Sequence, residues 1–212
     1  MERPIMLKLI VFDCDGVMFD SKKANTMYYN HLLHNFGLPP MKSEEEAYVH
    51  MHNVIDSVRH IFRHYQQPAL EEVHAFRLQG NYASFLPYME IEPDLVQFLE
   101  IAKQKYQLAI STNRTNTMIP LLQSYRLEGY FGKVMTADKV ARPKPAPDAL
   151  LEILDFFSCK PEHAVFIGDS IIDEQHAAAC QVPFIAFRNG DLKALYHVHC
   201  FMDVLQLPPL LA

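Results

Sequence analysis

Two aspartates, Asp13 and Asp15, stand directly after the apolar run Leu7 to Phe12, with Gly16 following them. Alone, the pair says little. Further polar groups follow other apolar runs in order: Thr112-Asn113, Lys144 within Arg142-Pro143-Lys144-Pro145, and Gly168-Asp169-Ser170-x-x-Asp173. Carboxylates, a lysine and a hydroxyl brought together could hold a hard divalent cation through oxygen and offset the charge of a bound anion. A carboxylate whose own charge is offset can also attack an electrophile. Taken singly, each residue has a plainer reading. Asp13, Asp169, Thr112 and Asn113 suit helix caps, Lys144 suits a solvated surface, and Asp173 is spaced as a surface charge one turn after Asp169. The case for a joint site rests on their shared position after strand-like runs.

The elements that must position them are legible as a pattern. Leu7 to Phe12, Gln107 to Ser111, Val134 to Thr136, Ala164 to Ile167 and Pro183 to Phe187 read as buried strands of a parallel sheet. Helical patterns lie between them at Pro93 to Lys105, Asn116 to Tyr125, Asp148 to Phe157 and Ile172 to Cys180. Alternating strand and helix implies an α/β fold with a doubly wound parallel sheet, a Rossmann-like core. Parallel strands bring their carboxyl ends together, so the polar groups should meet in one crevice.

Almost a hundred residues separate Phe12 from Gln107, where a crossover needs about a dozen or more. An α-helical domain inserted at residues 20–88 is expected, with the catalytic core formed by 1–19 and 89–212. Its helices are expected over 21–36 with Gly37 as a stop, over 43 to about 65 behind a capping box at Ser43-Glu44-Glu45-Glu46, and over 70–85.

Composition narrows the function. Half of the 212 residues are hydrophobic and 14 are Phe, enough for one full core and a smaller second one. A net charge of −6 with dispersed basic residues argues against a nucleic-acid or membrane-surface binder and for small-molecule partners. No apolar run approaches the roughly 20 residues that span a bilayer, and Met1-Glu2-Arg3-Pro4 lacks a signal-peptide core, so a cytoplasmic location is expected. Cys14, Cys159, Cys180 and Cys200 read as buried thiols in a reducing compartment. Seven of the 11 histidines fall in the insertion, among them His50, His52, His60 and His64. The i, i+4 pair His60 and His64 could bind zinc but lacks a specified third ligand, and partly exposed polar positions are expected instead. Tyr28, Tyr29 and Phe36 read as helix core. No Gly-x-x-x-x-Gly-Lys loop is present.

The segments Phe12-Asp13-Cys14-Asp15-Gly16-Val17, Ser111-Thr112-Asn113, Arg142 to Asp148 and Gly168-Asp169-Ser170-Ile171-Ile172-Asp173 give the chain its kinship. Over essentially its whole length it resembles the haloacid dehalogenase-like superfamily, in the phosphatase branch with a helical cap that includes phosphoglycolate phosphatase and β-phosphoglucomutase. The resemblance implies that Asp13 is a nucleophile, Asp15 a general acid/base, and Lys144 a charge-neutralising residue. It further implies phosphate binding by Thr112 and the backbone of Asn113, Mg²⁺ binding by Asp13, Asp15 and Asp169, and support of the metal site by Asp173. Val17 and Cys14 stand where the family more often has Thr and Leu or Met, and neither change removes a catalytic group. Asp15 is absent from the dehalogenases, so its presence favours phosphoryl transfer.

Elementary chemistry points the same way. A phosphate monoester dianion repels a carboxylate, and Mg²⁺ with Lys144 would supply the missing positive charge. A Mg²⁺-dependent phosphatase acting on a small phosphorylated metabolite through an aspartyl-phosphate is expected, with the insertion closing to exclude water. A sugar-phosphate mutase using the same aspartates is the alternative. A phospho-accepting signalling domain also combines Asp, Thr and Lys on a parallel sheet, but the insertion and the Asp13-x-Asp15 pair oppose it.

Overall fold

The structure, a computed structural model, describes residues 7–51, 54–80 and 82–208. The first apolar run forms β1 (Leu9–Phe12). Two short strands, β2 (Phe19–Asp20) and β3 (Glu90–Ile91), pair with each other. The later runs form β4 (Gln107–Ser111), β5 (Lys133–Met135), β6 (Ala164–Gly168), β7 (Phe184–Phe187) and β8 (Tyr196–Val198). The sheet runs β5-β4-β1-β6-β7-β8, and each neighbouring pair is parallel. This is the doubly wound sheet that the alternating pattern implies.

Register explains how distant segments meet. Phe12 at the end of β1 aligns with Ile110 of β4 on one side and Ile167 of β6 on the other. The three strands therefore finish level, and the residues that follow them share one edge. The chain crosses to opposite sides of β1, so a crevice opens at this switch point.

Alternation along β1 divides its side chains between two cores. Leu9 and Val11 join Leu150, Ile153, Phe166 and Ala177. On the other face, the Phe12 ring meets those of Phe98, Phe131 and Phe201 at centroid distances of 6.0, 5.9 and 6.0 Å. Fully burying a Phe contributes about 1.5–3 kcal/mol, so this face alone secures the end of β1 on which Asp13 depends.

The chain divides into two compact units, residues 1–20 with 91–212 and residues 21–90. The second unit holds α1 (Lys22–Asn35), α2 (Ser43–Met51), α3 (Val54–Phe62) and α4 (Leu70–Gln79), followed by a 3₁₀ turn at Tyr82–Tyr88. Its own core contains Tyr28, Tyr29, Leu32, Leu33, Ile61, Phe62 and Val73, with Phe36 packed against it. Gly37 stops α1 at φ +69°, a conformation that costs glycine nothing. The backbone N–H groups of Gly37 and Leu38 donate to the carbonyls of His34 and Leu33.

Two expectations for this unit need correction. The capping carboxylate is Glu45, which accepts from the Lys42 backbone N–H at 3.0 Å; the Lys42 side chain has no acceptor to return the bond, so this is half of a capping box, one residue ahead of the Ser43 register. Three consecutive glutamates leave that register open in the sequence. The third helix ends at Gln79, and the chain continues through a 3₁₀ turn containing Pro87, which has no N–H for a helical ladder. The span expected as a helix over 43 to about 65 is helical at α2 and α3, on either side of residues 52–53, which lie outside the described residues. His52 is one of these, whereas His60 stacks on Tyr48 with ring centroids 3.7 Å apart.

In the first unit, α5 (Leu95–Ala102), α6 (Met118–Ser124), α7 (Asp148–Phe156), α8 (Ile171–Ala179) and α9 (Phe201–Val204) complete the fold. Cys14 and Cys180 are buried, but Cys159 and Cys200 are half-buried, because they lie in a loop and at a helix N-cap. Burial pushes the Cys14 thiol well above its ordinary range, so it is an inert neighbour of Asp13. No helix among the described residues is long and apolar enough to cross a membrane.

Candidate active site

Asp13 follows β1 and is anchored there by its backbone N–H, which donates to the carbonyl of Ile167 at 2.9 Å. The Lys144 ammonium reaches it from a separate loop. Lys144 Nζ donates to Asp13 Oδ1 at 2.7 Å and to Asp173 Oδ1 at 2.6 Å, and all three residues are buried. The second oxygen of Asp173 accepts from the Ser170 hydroxyl at 2.6 Å and from the backbone N–H groups of Ser170 and Asp169 at 3.2 and 3.3 Å. Ser170 Oγ in turn accepts from the Asp173 N–H, a capping box that opens α8. Asp173 is 0% exposed, which excludes a surface charge, and its oxygens are committed to Lys144 and the helix start.

Carboxylate oxygens of Asp13, Asp169 and Asp173 lie within 4.8 Å of one another. Burial, reinforced by Asp173, pushes the Asp13 carboxyl up to about 8, although Lys144 pulls it down. Burial and Asp173 likewise push Asp169 up to about 7. Burial draws the Lys144 ammonium downward, but Asp13 and Asp173 more than offset this and hold it charged. One ammonium meets the two buried carboxyls of Asp13 and Asp173, and the half-buried carboxyl of Asp169 stands in the same cluster, leaving an excess of negative charge. A hard divalent cation fits that donor set, with Asp13 and Asp169 the carboxylates not consumed by the cap.

The backbone has been shaped around this group. Gly16 has φ +79°, and a Cβ there would stand 2.0 Å from Asp169 Oδ2. A side chain at position 16 would displace the very carboxylate that the cluster requires.

Asp15, expected with Asp13 and Asp169 as a metal ligand, is near enough for its charge to help raise Asp169, but its carboxylate is not one of the three that lie within 4.8 Å of one another. Arg114 Nε and Nη2 donate to its Oδ2 and Oδ1, both at 2.7 Å. This fork fixes the carboxylate's direction. The Arg114 side chain is 8% exposed and that of Asp15 37%. Arg114 went unassigned in the sequence, although its place directly after Thr112-Asn113 was a signal.

Thr112 and Asn113 end β4 in different states. Thr112 Oγ1 accepts from the Arg114 N–H at 3.1 Å, and its own hydroxyl proton can still be donated. Asn113 uses its side chain as a strap: Nδ2 donates to the Lys144 carbonyl and Oδ1 accepts from the Lys144 N–H, both at 3.0 Å. The amide thereby holds the Lys144 loop, leaving the backbone of Asn113 as the group to face a ligand. Two further residues escaped the sequence reading. Asn189 Nδ2 donates to the Asp169 carbonyl at 2.8 Å, and the buried His176 lies one turn beyond Asp173. A histidine three residues after Asp173, on the same helix face, was the available sign.

Residues 10–187 match the family model described as haloacid dehalogenase-like hydrolase. A protein named phosphoglycolate phosphatase 1 from Pseudomonas aeruginosa is 29% identical over 194 residues, covering 86% of this chain and 70% of that one. The pyrophosphatase PpaX of Bacillus thuringiensis is 24% identical over 166 residues, 77% of this chain and 75% of that protein. A crystal structure of a HAD-superfamily hydrolase from Geobacter sulfurreducens superposes with a TM-score of 0.86 at 32% identity, covering 96% and 97% of the two chains.

Proposed function

The chain belongs to the haloacid dehalogenase-like hydrolase family, and we propose that it is a Mg²⁺-dependent cytoplasmic phosphatase that cleaves a small phosphorylated metabolite through an aspartyl-phosphate on Asp13. The observation that carries this reading is the Lys144 ammonium held between Asp13 and Asp173 at the level ends of β1, β4 and β6. The names of the related phosphoglycolate phosphatase and pyrophosphatase support the substrate class.

Mg²⁺ bound by Asp13 and Asp169 would supply positive charge where the phosphoryl oxygens accumulate it. Lys144 adds a fixed cation on the same side. Asp13 attacks phosphorus in line with the leaving oxygen, forming the acyl phosphate. Thr112 donates its hydroxyl, and Asn113 its backbone N–H, to the transferred phosphoryl group. Asp15 protonates the leaving oxygen and afterwards takes a proton from the attacking water, a role worth about 10² to 10⁴ in rate. Its Arg114 fork orients it between the two steps. The helical insertion, residues 20–88, is assigned the selection of substrate, and residues 1–19 with 89–212 the chemistry.

The test is phosphate release from a panel of phosphorylated metabolites, with and without Mg²⁺. Release that requires the metal is expected. Absence of release from every ester in the presence of Mg²⁺ would overturn the reading, and isomerisation of a sugar phosphate with total inorganic phosphate unchanged would make the enzyme a mutase.

A further inference from the structure

His176 is fully buried at 0% exposure, yet it is polar on both sides of its ring. Nδ1 lies 2.7 Å from the carbonyl oxygen of Ala146, and Nε2 lies 3.0 Å from Ser111 Oγ. Its ring also stands edge-on to Phe166, with centroids 5.4 Å apart at 81°. The chemistry of the partners fixes the tautomer. A carbonyl can only accept, so Nδ1 carries the proton. Burial first, and the positive charge of Lys144 second, push the imidazole down to about 4, so it is neutral at physiological pH. Nε2 is then an acceptor, and the Ser111 hydroxyl donates to it.

Each atom that His176 touches belongs to a segment carrying a group of the site. Ser111 ends β4 and immediately precedes Thr112. Ala146 lies two residues after Lys144, in a turn closed by its own N–H to the Pro143 carbonyl. His176 itself lies on α8, one turn beyond the Asp173 that holds the Lys144 ammonium. Asn113 ties the Lys144 loop to β4 through the backbone of Lys144. His176 supplies the second tie, farther along the loop, and makes the helix part of it. The loop is thus held at two points, Lys144 and Ala146.

We propose that His176 is a positioning residue for phosphoryl transfer: as the Nδ1–H tautomer it bridges β4, the Lys144 loop and α8, and so sets the distance between Lys144 and Thr112. The proposal rests on the phosphatase reading above for its kinetic consequence, whereas the bridge itself is independent of it. The bond lengths place the role on geometry, since the ring has no free atom left to meet a substrate.

Two measurements test it separately. Nitrogen NMR of the full-length protein labelled at histidine should show, for the signal lost in His176→Ala, a neutral ring protonated at Nδ1 from pH 6 to 8. A charged ring, or a proton on Nε2, overturns the bridge whether or not the protein is a phosphatase. The second measurement is steady-state hydrolysis of para-nitrophenyl phosphate together with inhibition by inorganic phosphate, at a temperature where each variant is folded. A misplacement of about 1 Å can cost about 10² in rate. His176→Ala, with the Asn113 strap intact, should lower kcat by about 10-fold to 10²-fold and weaken phosphate binding by about the same factor. His176→Asn places an amide N–H near the position of Nδ1, restores the bond to Ala146, and should recover most of kcat. An unchanged kcat and phosphate affinity in folded His176→Ala, with a lowered melting temperature alone, would make His176 a core residue. Equal loss in the Ala and Asn variants would also overturn the proposal. If the wild-type protein hydrolyses no phosphate ester, the phosphatase reading fails instead, and the NMR result still decides the bridge.

Discussion

Replacing Asp169 by Asn should change how stability depends on pH, in a direction set by the buried charge. In the metal-free protein, burial and Asp173 raise the Asp169 carboxyl from 3.8 to about 7. Folding therefore retains a proton that the unfolded chain has lost above about pH 4. A raised carboxyl of this kind destabilises the folded state as pH rises between those values. From pH 5 to pH 7 the integrated loss from this group is about 2 kcal/mol. For a chain of this size it corresponds to about 4–8 °C in melting temperature. Asp169→Asn removes the titration, and also relieves the repulsion that helps to raise Asp13. The histidines, His176 included, are common to both proteins and cancel in the difference. Thermal unfolding in chelator at pH 5, 6 and 7 is the assay, read as the gap between mutant and wild type. That gap should move in the mutant's favour by about 2 kcal/mol on going from pH 5 to 7. Mg²⁺ at about 100 times its Kd should then stabilise wild type by about 2.7 kcal/mol at pH 7, less at pH 5 where protons compete, and Asp169→Asn hardly at all. A gap that is flat with pH, or a Mg²⁺ shift that survives in Asp169→Asn, would falsify the assignment of the cluster as a buried cation site.

Three other perturbations follow from the same geometry. Gly16→Ala meets both a positive φ and the Asp169 carboxylate, so it should weaken Mg²⁺ binding and lower activity at least 10-fold, as a titration of activity against Mg²⁺ would show; normal metal dependence would contradict the close approach. Asp15→Asn with para-nitrophenyl phosphate, whose leaving group needs little protonation, should give a burst of nitrophenolate near one per active site followed by a steady state slowed by about 10² to 10⁴; stopped-flow absorbance reads both, and near-normal turnover would remove Asp15 from the mechanism. Ca²⁺ should compete with Mg²⁺ for the site and inhibit, because it accepts more ligands at longer distances and spoils the in-line geometry; full activity with Ca²⁺ would place the metal outside the reaction.

Most of the parallel sheet was legible because buried strands are written as continuous apolar runs: β1 and β4 end where their runs end, and β6 one residue later, at Gly168. Strand β8 was not, since three edge residues, Tyr196, His197 and Val198, carry too little pattern to separate from a loop. The paired strands β2 and β3 are two residues each and leave no periodicity at all. At the site, Asp13, Lys144, Asp169 and Asp173 could be brought together from their positions after strand-like runs, because strand register does that work. What the register does not specify is the direction of each side chain. Asp15 follows Asp13 by two residues, yet its carboxylate meets Arg114 and not the acidic cluster. Asn113 faces the Lys144 backbone, and His176 spans three segments whose spacing in the chain gives no hint of contact. Such cross-links are decided by tertiary packing, and a single residue type on a helix face is a faint signal of them.

The most direct test of the central claim is chemical trapping of the acyl phosphate. The protein would be mixed with Mg²⁺ and para-nitrophenyl phosphate, quenched during turnover, reduced with borohydride and digested for mass spectrometry. An aspartyl-phosphate at Asp13 is reduced to homoserine, so the peptide containing residue 13 should carry that change, most abundantly in Asp15→Asn where breakdown is slow, and never in Asp13→Asn. Reduction at another carboxylate, or turnover with no reducible intermediate in either wild type or Asp15→Asn, would contradict covalent catalysis by Asp13.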